Sequence, residues 1–107
     1  MTVTLADNGK LIAVGLGEEV VVTLAENPTT GFRWSLEPSY EAILELERTA
    51  FVPPTSAAVG SPGQRVYTFK ASDAGSGSLR IKLWRAWEGE NSVRERLEVT
   101  IQVAKPR

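Results

Sequence analysis

The chain has 107 residues, a formal charge of −1 at neutral pH, and neither cysteine nor histidine. That length suits one domain with its own core, so a single domain spanning residues 1–107 is expected. The near-neutral charge gives no pull toward nucleic acid, and the two missing residue types exclude disulfides, thiolate nucleophiles, Ser-His or Cys-His pairs and imidazole metal ligands.

Met1-Thr2-Val3-Thr4 lacks the charged-then-apolar pattern of a signal peptide, and no apolar run reaches membrane-spanning length. No membrane partner is expected. A cytoplasmic location follows if the chain is complete as it stands, and a periplasmic or secreted one if a leader was removed. Asp7-Asn8-Gly9 and Gly15-Leu16-Gly17 carry turn chemistry. Val20, Val22 and Leu24 then alternate with Glu19, Val21 and Thr23, and Phe32, Trp34 and Leu36 alternate with Arg33 and Ser35, which places Trp34 in the core. Residues 39–47 are ambiguous. Leu44 and Leu46 alternate with Glu45 and Glu47, yet Tyr40, Ile43, Leu44 and Glu47 also suit a helical period; the segment is read as strand.

Pro53-Pro54 opens a long loop that closes at Gly63. Beyond it, Tyr67, Phe69 and Ala71 alternate with Val66, Thr68 and Lys70, and Gly75-Ser76-Gly77 reads as a turn. Leu79, Ile81 and Leu83 oppose Arg80 and Lys82; Leu97, Val99, Ile101 and Val103 oppose Glu98, Thr100 and Gln102. Seven or eight half-buried strands of this kind predict an all-β, antiparallel β-sandwich.

Three segments fall between these strands: Asn27-Pro28-Thr29-Thr30-Gly31, Gly60-Ser61-Pro62-Gly63, and Arg85-Ala86-Trp87-Glu88-Gly89. Two strands separate each from the next, so all three are expected at one end of the sandwich. In the first, Pro28 fixes φ, Gly31 permits a positive φ, and Thr29 and Thr30 are stiff hydroxyl carriers, which makes a pre-ordered polar knuckle or simply a good turn. The second ends a small-residue loop whose two glycines let a backbone approach another surface closely or simply make a flexible connector, partly stiffened by Pro62. The third carries Arg85 and Trp87 on a loop, the side-chain types most enriched at energetic centres of interfaces. Its alternative is a lid, with Trp87 folded over the sandwich end and Arg85 paired to Glu88 or Glu90. Asn27-Pro28-Thr29 is no glycosylation acceptor, because proline occupies the middle position.

Arg80, Lys82, Arg94 and Arg96 could form a basic stripe, but Glu88, Glu95 and Glu98 lie among them, which reads as a mixed-charge solvated face rather than a nucleic-acid surface. Nothing converges Glu18, Glu19, Glu45 and Glu47 into an acid/base pair.

The ordered triple of motifs resembles the chagasin-like inhibitors of cysteine peptidases, which carry an Asn-Pro-Thr-Thr-Gly loop, a Gly-x-Gly-Gly loop and an Arg-Pro-Trp loop. Asn27-Pro28-Thr29-Thr30-Gly31-Phe32, Trp34, Phe51, Pro53, Pro54, the Tyr67-Thr68-Phe69-Lys70-Ala71 run and the stretch 79–87 fall where that family has them. Two positions depart from it: Pro62 replaces the first paired glycine, and Ala86 replaces the proline of the third loop. The resemblance implies an immunoglobulin-like sandwich whose loops enter the cleft of a papain-like peptidase, with Thr29 and Thr30 over the catalytic cysteine and histidine. It also implies that the second loop lies along the non-primed side and that Trp87 and Arg85 cover the primed side. A reversible, tight-binding inhibitor of papain-like cysteine peptidases is therefore expected, monomeric and free of metal or other cofactor. The alternative is a non-catalytic adhesion or scaffold module that binds another protein or a glycan. An enzyme is disfavoured by the absence of His and Cys.

Overall fold

The computed structural model describes residues 1–54 and 62–105. They form eight strands: β1 (Thr2–Val3), β2 (Leu11–Gly15), β3 (Glu19–Glu26), β4 (Arg33–Leu36), β5 (Leu44–Val52), β6 (Gly63–Ala71), β7 (Gly75–Trp84) and β8 (Glu95–Ala104). Two four-stranded sheets result, in the orders β1-β3-β6-β5 and β2-β8-β7-β4, packed as an immunoglobulin-like sandwich. The period-two patterns do what their parity predicts. Val20, Val22, Leu24, Tyr67, Phe69 and Ala71 of one sheet face Trp34, Leu79, Ile81, Leu97, Val99 and Ile101 of the other, all buried. Tyr40 closes one flank, its ring edge-on to Phe69 at 5.2 Å.

Most ladders are antiparallel, but β1 pairs parallel with β3 and β2 parallel with β8, so the two sheets are mixed. The Leu5–Asp7 turn carries the chain from one sheet to the other, with the Thr4 amide donating to Asp7 Oδ2 at 2.9 Å. Two expectations are corrected in detail. Within residues 39–47 a 3-10 turn, Pro38–Tyr40, comes first and the strand begins only at Leu44. Pro38 at the first turn position favours this start. Gly75-Ser76-Gly77 lies inside β7, and the chain reverses at residues 72–74 instead. Gly77 serves packing: a β-carbon there would sit 3.0 Å from the Ile43 side chain.

Register fixes where the loops emerge. Glu26 pairs with Gly63, Val52 with Gln64, Arg33 with Trp84 and Leu83 with Glu95. The connections β3–β4, β5–β6 and β7–β8 therefore all open at the same end of the sandwich.

Candidate functional site

The first loop is a 3-10 turn over Pro28–Thr30, begun by Asn27 in an extended conformation and ended by Gly31 at φ 78°. Its polar groups face one another. Asn27 Oδ1 accepts from the Thr29 amide at 3.1 Å and from the Thr29 hydroxyl at 2.7 Å. The Thr30 hydroxyl donates to the Asn27 carbonyl at 2.8 Å and accepts from the Phe32 amide at 3.2 Å. The knuckle is thus pre-ordered by its own sequence, with Pro28, Thr29 and Thr30 exposed at the tip.

Beneath it lies a feature that the motif reading missed. Glu26 is 2% exposed and accepts from the Trp34 amide at 2.8 Å, while Arg65 donates to its other oxygen at 2.9 Å. Trp34 Nε1 donates to the Ala25 carbonyl at 2.8 Å. Glu26 and Trp34 belong to different sheets, so these bonds join both arms of the first loop across the sandwich. The signal was present in the parity: Glu26 continues the inward series of Val20, Val22 and Leu24, and Arg65 that of Tyr67, Phe69 and Ala71.

The third loop leaves β7 at Arg85 and makes two 3-10 turns, Ala86–Glu88 and Glu90–Ser92, joined at Gly89 with φ 77°. Ser92 Oγ accepts from the Arg85 amide at 3.0 Å and lies within donating reach of the Arg85 and Gly89 carbonyls at 2.9 and 2.7 Å. Glu90 is held by Lys82 and by Arg96, the latter at 2.9 Å. The Lys82 hydrogen bond leads in holding the Glu90 carboxyl below the usual carboxylate range. Lys82 is itself buried, with its ammonium 3.7 Å from the centre of the Trp84 ring. The charged face is therefore cross-paired, with Arg80 to Glu98 at 3.4 Å as well, but Lys82 is buried rather than solvated as its parity predicted.

The first and third loops touch. Arg85 Nε and Nη2 donate to the Thr30 carbonyl at 3.3 and 3.0 Å, and Nη1 pairs with Glu88 at 3.2 Å. The guanidinium lies over the Phe32 ring at 4.3 Å, as does that of Arg94 at 4.0 Å. Of the lid alternative, the Arg85–Glu88 pairing is present, but Trp87 is 72% exposed and does not fold over the sandwich end.

Of the second loop, Gly60 and Ser61 lie outside the described residues. Pro62 is exposed and shares with Asn27, Thr30, Phe32 and Arg94 a cleft of about 240 Å³, which places it beside the first loop. Gly63 is buried as the first residue of β6, where a β-carbon would meet Phe51 Cζ and the Val52 carbonyl at 2.5 Å. Its lack of a side chain lets the Phe51 ring cross the strand. Asn27, Pro28, Thr29, Thr30, Gly31, Pro62, Arg85 and Trp87 thus gather at one edge, with Gly63 at its base. Among the described residues, no three His, Cys, Asp or Glu side chains converge to hold a metal ion.

A family model described as chagasin family peptidase inhibitor I42 matches residues 13–103. Chagasin of Trypanosoma cruzi is 32% identical over 105 residues, covering 94% of each chain. The fold is shared with the cysteine protease inhibitor EhICP2 of Entamoeba histolytica, at a TM-score of 0.86 and 20% identity over 96% of this chain and 94% of that one. It is also shared with PbICP-C, solved in complex with falcipain-2, at a TM-score of 0.69 and 14% identity over 97% and 90% of the two chains.

Proposed function

The chain belongs to the chagasin family of peptidase inhibitors, and from that premise we propose that it is a reversible, tight-binding inhibitor of papain-like cysteine peptidases. It acts as a monomer that closes the active-site cleft with the loop edge. The peptidase-binding residues are Asn27, Pro28, Thr29, Thr30 and Gly31 of the first loop, Gly60, Ser61, Pro62 and Gly63 of the second, and Arg85 and Trp87 of the third. The first loop sits over the enzyme's catalytic cysteine and histidine. The second runs along the non-primed side and the third covers the primed side.

One observation carries this reading: three of the four carbonyls of residues 27–30 are already engaged within the protein, which supports a loop that enters a peptidase without being cut. A thiolate attacks a carbonyl whose oxygen is free to move into the enzyme's hydrogen-bond donors. The Asn27 carbonyl already accepts from the Thr30 amide and hydroxyl, that of Pro28 from the Gly31 amide, and that of Thr30 from Arg85. The 3-10 geometry also keeps the backbone from lying extended as a substrate does, so a near-attack arrangement is not reached. Because the first and third loops are ordered before docking, little of their conformational entropy is lost on binding.

Trp87, large and exposed beside this knuckle, supplies the apolar anchor. Trp87→Ala should weaken inhibition of papain by roughly 2 kcal/mol, about thirtyfold. An unchanged inhibition constant for a folded variant would remove Trp87 from the interface.

A further inference from the structure

Resting on the inhibitor reading, we infer that Arg85 serves the peptidase-binding edge as a positioning residue: it locks the first and third loops into one rigid wedge and leaves the grip on the enzyme to its neighbours. Its guanidinium is half-exposed, but each of its three nitrogens already donates within the protein. Nε and Nη2 go to the Thr30 carbonyl and Nη1 goes to Glu88, while the plane rests on the Phe32 ring. A planar fork that meets a carbonyl, a carboxylate and an aromatic face together is a task for arginine, not for lysine.

The lock has a purpose in this chain. Alanine at position 86 leaves φ free where a proline would fix it, so the third loop has to be ordered by contacts instead. Ser92 holds the backbone of Arg85, and the Arg85 side chain holds Thr30. The indole of Trp87 then rests along Gly31, within van der Waals reach of the turn that Arg85 secures. Loosening Arg85 therefore uncouples the two loops and frees the Thr30–Gly31 end of the first. Of these two loops, the surface left to meet the enzyme is Trp87 and the tip of the first.

The test uses the full chain, free and with active-site-titrated papain, for the wild type, Arg85→Ala and Arg85→Lys. Hydrogen exchange of the Gly31 and Phe32 amides is read in the free protein, since those amides close the turn that Arg85 secures. Both variants should exchange roughly tenfold faster there and inhibit roughly tenfold less well, at unchanged thermal midpoints. Lysine should rescue neither property, although it restores the charge. The inference is overturned if Arg85→Ala leaves the exchange unaltered. It is equally overturned if Arg85→Lys restores inhibition while exchange stays fast, because charge against the enzyme would then be what matters. Failure of the wild type to inhibit papain would strike the functional reading alone; the exchange arm would still decide whether Arg85 locks the loops.

Discussion

Trp87 lays its indole along the backbone of Gly31 so closely that a β-carbon at position 31 would lie 3.0 Å from Cη2. This contact and the Arg85–Thr30 bonds make one continuous surface from loops whose sequences stand more than fifty residues apart. Gly31 is thus constrained twice, by its φ of 78° and by its neighbour.

Gly31→Ala should accordingly impair binding without unfolding the protein. A left-handed conformation costs a β-carbon-bearing residue about 1–2 kcal/mol. The exposed Trp87 can retreat from the added methyl only by leaving its position. An inhibition constant about tenfold weaker, with unchanged far-UV circular dichroism, is the expected outcome; full potency would show that this contact has no bearing on docking.

Glu26 makes a second, separable prediction, on stability. Glu26→Gln keeps an acceptor for the Trp34 amide and loses the charge opposite Arg65, whereas Glu26→Ala loses both. Breaking a buried pair costs about 3–5 kcal/mol, and the Arg65 side chain, 20% exposed, recovers part of that through water. Urea unfolding should show Glu26→Ala destabilised by about 2–3 kcal/mol and Glu26→Gln by clearly less. Equal losses would mean that the charge, not the cross-sheet hydrogen bond, carries the effect.

That pair also shows what could be read in advance and what could not. The parity of β3 and β6 placed the core correctly at Val20, Leu24, Tyr67 and Phe69, and the same parity pointed Glu26 and Arg65 inward. Their meeting depends on the pairing of β3 with β6 in the register that sets Leu24 against Arg65, which no local pattern contains. The parallel placement of β1 and β2 was hidden for the same reason. Gly75-Ser76-Gly77 misled because glycine marks both turns and close approaches, and only Ile43, far off in sequence, shows which applies. Motif order located the docking edge. The commitment of Arg85 to Thr30 and Glu88 needed coordinates, because a sequence does not say where a guanidinium points.

Alkaline pH should weaken the fold through Tyr67. Burial pushes its hydroxyl up to about 12 from the ordinary value of 10.0. The native chain therefore keeps a proton that the unfolded chain releases, so this contribution to stability is constant below pH 10 and falls as pH rises from 10 toward 12. Tyr40 is raised in the same direction, also chiefly by burial, and adds to the slope. Tyr67→Phe should flatten the decline of the thermal midpoint on the alkaline side; an unchanged slope would assign it to other groups.

The central claim is that the loop edge occludes a peptidase active site, and a stoichiometric titration addresses it most directly. Residual activity of active-site-titrated papain is followed as the protein is added, and the recovered chain is weighed by mass spectrometry. The account predicts a linear fall to zero near one equivalent, recovery of activity on dissociation, and an uncut chain. Undiminished activity in a large excess of folded protein would contradict it, as would cleavage within the first loop.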